Sequence, residues 1–172
     1  STRFGQDVTR VSAVLPADQD RAPTSIERVN CYLCVLFPWL FVYEAVVTVG
    51  VPRDAVSAYL PFEHRLPVWQ WTELIYASCY PATALVPLLA STARDLRRFA
   101  IRGLLAMALA SSVYLIIPFV AVPRPFTPSE PLGTLLAWER AVDSPAAAFP
   151  SFHVIWAFLA AAVFIGRVPS LR

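Results

Sequence analysis

Four long apolar runs constrain this 172-residue chain more than any other feature. A helix needs about 20 mostly apolar residues to cross the hydrocarbon core of a bilayer. Positions 29–51, 71–90, 103–122 and 146–166 meet that length, interrupted by one acidic residue in the first, Glu44, and one in the second, Glu73. Four such helices are more than one small soluble domain can enclose. The reading is an all-α, polytopic transmembrane helical bundle over 29–172, preceded by a polar segment over 1–28. Hydrophobic residues make up 57% of the chain and charged residues 15%, against roughly 45–50% and 25% in soluble domains. That balance excludes a disordered chain. A net charge of only +2 also excludes a nucleic-acid binder.

Orientation follows from arginine, because the chain has fourteen basic residues and no lysine. Arg3, Arg10, Arg21 and Arg28 precede the first run, Arg94, Arg97, Arg98 and Arg102 crowd the second link, and Arg167 and Arg172 follow the fourth run. The opposite side holds Arg53, Arg65, Arg124 and Arg140. Basic residues concentrate on the cytoplasmic side of a membrane. Both termini are therefore expected in the cytoplasm, with links 52–70 and 123–145 outside. The first 23 residues read as a loose polar lead without a cleavable signal peptide. Thr24 and Glu27 have capping-box spacing and are expected to open the first helix. Pro38, Pro81, Pro87 and Pro118 fall inside the apolar runs and are expected to kink them. The stretch 133–142, GTLLAWERAV, is amphipathic and suits a helix lying along the membrane surface.

The chemistry concentrates at Phe149-Pro150-Ser151-Phe152-His153-Val154. Proline favours the first position of a helix, so Pro150 is expected to open the fourth span, with Ser151 and His153 in its first turn on the external side. Free amides and the helix dipole make such an end suited to anions. A hydroxyl and an imidazole there can hold a phosphate and give a proton to a departing oxygen; they equally serve as a polar cap and an interfacial histidine. Arg124, in Val122-Pro123-Arg124-Pro125, lies on the same external side. Its planar, always charged guanidinium matches phosphate oxygens, and it also suits a snorkelling interfacial position.

Pro150-Ser151-Phe152-His153 resembles the P-S-G-H motif of the type 2 phosphatidic acid phosphatase superfamily, and Arg124-Pro125 resembles the end of its K-x6-R-P motif. AAFPSFHVIWAF is most similar to the branch containing inositol phosphorylceramide synthase and its bacterial relatives. The resemblance implies a six-span core of which these are the first four spans, and a bacterial inner-membrane setting. It implies phosphate binding by Arg124 and Ser151, His153 as the acid for the leaving alcohol, and a phosphohistidine intermediate formed without metal or cofactor. The expected activity is hydrolysis of a lipid phosphate or diphosphate at the external face. The alternatives are transfer of a phosphorylated head group to a lipid hydroxyl, and a non-catalytic membrane protein with a degenerate phosphate site. Ile117 stands where the first motif has lysine, and the third motif, S-R-x5-H-x3-D, has no counterpart in the chain. The nucleophilic histidine is then expected from a second copy or from a continuation of the same chain.

Glu44 and Glu73 lie towards the external ends of their spans, where a carboxylate either lines a head-group cavity or snorkels to the interface. Cys31-Tyr32-Leu33-Cys34 has C-x-x-C spacing but lies in an apolar helix without a second pair, so neither zinc nor redox chemistry is expected. His64, the other histidine, is expected to have a surface role.

Overall fold

A computed structural model describes residues 20–165 except 130, 147 and the side chain of His64. Of the described residues 66% are helical and 3% lie in strands, in keeping with the apolar runs. The principal helices among the described residues are α1 (Ser25–Val49), α2 (Thr72–Leu89), α3 (Ala93–Ile116), α4 (Leu132–Val142) and α5 (Phe152–Ile165). Two of them, α1 and α3, are long and apolar enough to cross a membrane. The lead over 1–19, with Arg3 and Arg10, lies outside the described residues, as do Arg167 and Arg172.

Helix α1 opens as its capping box dictates. The Glu27 amide donates to Thr24 Oγ1 at 3.2 Å, and the Thr24 amide donates back to Glu27 Oε2 at 2.7 Å. The helix thus begins at Ser25, ahead of the boundary drawn after residue 28. Tyr32–Leu36 is wound as a π-helix. A proline ring clashes with the carbonyl four residues back, and Pro38 follows this wider turn, so the register shift accommodates it within a continuous helix.

Helix α3 runs earlier than its apolar stretch suggests. Thr92 caps it by accepting from the Asp95 amide at 3.1 Å, and arginines form its first turns. It ends at Ile116, so Pro118 lies beyond the helix instead of kinking it. Val56–Ser57 and Phe119–Val120 form a short parallel pair that joins the link between α1 and α2 to the segment after α3. The fourth apolar run also divides. Positions 143–146 and 148–151 are not helical, and α5 starts at Phe152. Ser151 therefore precedes the helix instead of lying in its first turn; its carbonyl accepts from the Ile155 amide at 3.1 Å.

The core is a seam between α1, α2, α3 and α5. Phe152, Trp156, Ala160 and Val163 form the buried stripe of α5. Trp156 sits 5.1 Å from the Trp39 ring and 5.5 Å from the Phe99 ring. Tyr114 of α3 donates to the Pro150 carbonyl, fixing the start of α5. Arg28 reaches the carbonyls of Pro87 and Leu88, tying the start of α1 to the end of α2.

Gly103 makes the tightest contact of this seam. A Cβ there would lie 2.6 Å from Trp156 Cη2 and 2.9 Å from Cζ3. Gly103→Val is expected to lower unfolding free energy by ~1–3 kcal/mol through overpacking. Thermal unfolding in detergent checks this; an unchanged midpoint would show that Trp156 moves aside freely.

Candidate functional site

One face of α2 carries Glu73, Tyr76, Tyr80 and Thr83 at spacings of three, four and three, which a helix gathers into a single stripe. The stripe faces the first turn of α5. Tyr76 Oη lies 2.9 Å from His153 Nδ1, and Tyr80 Oη lies 2.6 Å from Nε2. The Tyr76 ring also stacks on the imidazole at 4.2 Å. With a tyrosine hydroxyl at each nitrogen, neutral His153 donates to one and accepts from the other. Its ring plane is thereby fixed, and proton movement at one nitrogen is linked to the other through the two phenols.

Above this histidine opens a cavity of ≈ 500 Å³, within the size range of small-ligand sites, lined by Tyr43, Glu73, Tyr76, Glu139, Arg140, Asp143, Ser151 and His153 among others. Helix α4 supplies Glu139 and Arg140. It is seated by Gln70, whose Nε2 donates to the Thr127 carbonyl at 2.7 Å and whose Oε1 accepts from the Ser129 amide at 2.8 Å. Asp143 Oδ1 accepts from the Tyr43 hydroxyl at 2.5 Å and from the Ser144 amide at 2.8 Å. Arg140 donates to the Arg124 carbonyl at 2.6 Å and lies 4.7 Å from the Phe126 ring centre.

The sequence-expected residues separate in space. Ser151, His153 and Glu73 line the same cavity. Arg124 does not: its Nη1 donates to the carbonyls of Glu63 at 2.8 Å and Leu66 at 2.5 Å. The guanidinium thus braces the 3-10 turn Glu63–Arg65, where His64 also falls. Glu44 is exposed on the outer surface of α1, away from the cavity. The cation facing the cavity is Arg140. Its place on an amphipathic helix, with Glu139 beside it and Asp143 one turn on, was the signal for it; the spacing of Tyr76 and Tyr80 from Glu73 was the signal for the tyrosines. Cys31 is buried and Cys34 exposed, both as free thiols.

Acid exceeds base in this cavity. Glu73, Glu139 and Asp143 face Arg140 and an imidazole. Burial, the neighbouring Asp143 charge and that of Glu73 push the Glu139 carboxyl up to about 7. Among the described residues no group of three His, Cys, Asp or Glu side chains has the geometry to hold a metal ion. Compared with protein-family models, curated proteins and solved structures, the chain matches none.

Glu139 gives the site a definite pH response. Its folded value lies above the ordinary 4.5, so between these values the folded state holds a proton that the unfolded chain has lost. Stability is therefore expected to fall as pH rises through about 4.5 to 7. Glu139→Gln should flatten this decline in thermal unfolding from pH 4 to pH 8. An equally steep decline in the variant would assign it to another group.

Proposed function

We propose that this protein is a multi-pass membrane protein that carries out phosphoryl chemistry on a lipid head group at the external face. Helices α2 and α5 join α1 and α3 as spans in this reading, running alternately up and down. The helix ends meeting at the cavity are the last turns of α1 and the first turns of α2 and α5. The arginine distribution puts those ends outside. Large exposed apolar side chains, such as Phe41, Leu109, Leu115 and Phe158, suit lipid contact and would be costly in water.

The observation that carries the reading is that Ser151, His153 and Arg140 line one cavity. Arg140 offers a fork of donors to phosphate oxygens. The Ser151 hydroxyl offers another donor. His153 is held at both nitrogens by phenols, so in this reading its proton reaches a departing alcohol through the cavity-lining Tyr76 on the Nδ1 side. The likeness of Pro150-Ser151-Phe152-His153 to the type 2 phosphatidic acid phosphatases supports the same chemistry. In that scheme a histidine attacks phosphorus, the alcohol leaves with the proton from His153, and water or a lipid hydroxyl then takes the phosphoryl group. The attacking histidine would come from a second copy or from further chain. Hydrolysis and head-group transfer differ only in that last acceptor.

The acid excess in the cavity favours a second reading, a head-group-binding membrane protein without turnover. Purified protein in vesicles containing head-group-labelled phospholipid separates the two. Release of labelled head group or phosphate, or a new labelled lipid, is expected. His153→Ala should slow it ~100-fold or more, the usual contribution of a positioned acid, and Arg140→Ala should raise KM. Binding of the labelled lipid with no product would establish the second reading. An unchanged rate in His153→Ala would remove that residue from the mechanism.

A further inference from the structure

The charge of the cavity selects among lipid head groups, an inference that rests on the head-group reading above and deepens it. Glu73 is the informative residue. It is 5% exposed, lines the cavity, and its side chain makes no hydrogen bond to a described residue, the backbone amide alone donating, to the Gln70 carbonyl. A buried carboxylate ordinarily has partners for its oxygens, because leaving a charge unpaired away from water is costly. Asp143 has its partners in Tyr43 and the Ser144 amide. Glu139 of α4 and Glu73 of α2 line the same cavity, with Arg140 as the cation that acts on both.

A phosphate monoester brought alone into this space would meet three carboxylates and one guanidinium, so its charge would add to an existing excess. A polyol would satisfy carboxylate lone pairs but leave the excess charge in place. An ammonium group does both: it donates hydrogen bonds to the unpartnered oxygens and offsets the negative charge. We propose that Glu73, Glu139 and Asp143 hold the ammonium of a zwitterionic, amine-bearing phospholipid head group, while Arg140, Ser151 and His153 face its phosphate. One lipid then supplies the two charges that the two halves of the cavity lack.

The test is titration of the detergent-solubilised protein at pH 7.5 with dihexanoyl phosphatidylethanolamine and dihexanoyl phosphatidylglycerol, read by calorimetry. These share phosphate and acyl chains and differ in amine against polyol. The amine lipid is expected to bind at least tenfold more tightly, and Glu73→Gln is expected to abolish the preference while leaving glycerol-lipid affinity unchanged or stronger. Equal affinities in the unmodified protein overturn the proposal, and they do so without any variant that has to fold. Preference for the glycerol head group would make the wall a hydroxyl site and also overturns it. An amine preference that survives in a folded Glu73→Gln protein overturns the assignment to this wall. Turnover is scored separately. Amine preference without product would sink the phosphoryl chemistry and leave this inference standing; equal turnover of both lipids would sink the inference alone.

Discussion

The packing of α5 against α2 sets the positions of the groups in the cavity. At the deep end of this seam Trp156 lies over Gly103 and between Trp39 and Phe99, so α5 has little freedom to turn about its axis. One turn above Trp156, the same constraint delivers His153 between Tyr76 and Tyr80. A histidine held at both nitrogens keeps one ring orientation, and a rotation of α5 would break two hydrogen bonds and a ring stack together. Tyr114 adds a third restraint from α3 through the Pro150 carbonyl. The imidazole is thus oriented by large, apolar contacts below it and by phenols beside it, the arrangement that keeps a proton-transfer group in place without lining it with charge.

Charge enters from above, on a separate element. Helix α4 brings Glu139 and Arg140, with Asp143 just past its end, to the cavity that Tyr76 and His153 also line, so the cavity has a phenolic part and an ionic part. The two parts depend on different anchors. Gln70 and Arg124 hold the links around 63–66 and 127–129 through backbone carbonyls and amides, whereas the phenolic part is held by the helical seam. A change in the ionic part is therefore expected to alter recognition before it alters the fold. Glu73 connects the two, since it belongs to α2 and reaches the ionic part.

Much of the frame was legible in the sequence because it rests on local signals. The capping box of Thr24 and Glu27, the apolar stretch of α2 and the amphipathic 132–142 helix each follow from spacing alone. The differences arise where a neighbour outweighs such a signal. Apolarity alone does not reveal that the arginine-rich 93–102 stretch continues the third helix, because Thr92 and Asp95 cap it there. Nor does it show that Asp143 and Ser151, both outside the helices, come to one cavity. Of the site, Ser151, His153 and Glu73 were readable as polar residues in apolar surroundings. Arg124 and Glu44 carried the same kind of signal, yet Arg124 turns towards the carbonyls of Glu63 and Leu66 and Glu44 faces outward. Side-chain direction depends on packing between links distant in sequence, which spacing does not encode. Arg140 was overlooked because a charged residue on an amphipathic helix ordinarily faces solvent.

The central claim is that His153 sits at the base of a cavity that receives a lipid head group. With two histidines in the chain, ¹⁵N-histidine labelling gives an imidazole spectrum in which His64, on the Glu63–Arg65 turn, serves as the internal reference. The two are assigned by substituting each in turn. Addition of dihexanoyl phosphatidylethanolamine is expected to shift the His153 ring nitrogens saturably and leave those of His64 unmoved. Saturable lipid binding that leaves the His153 nitrogens unmoved would place the head group elsewhere and contradict the account.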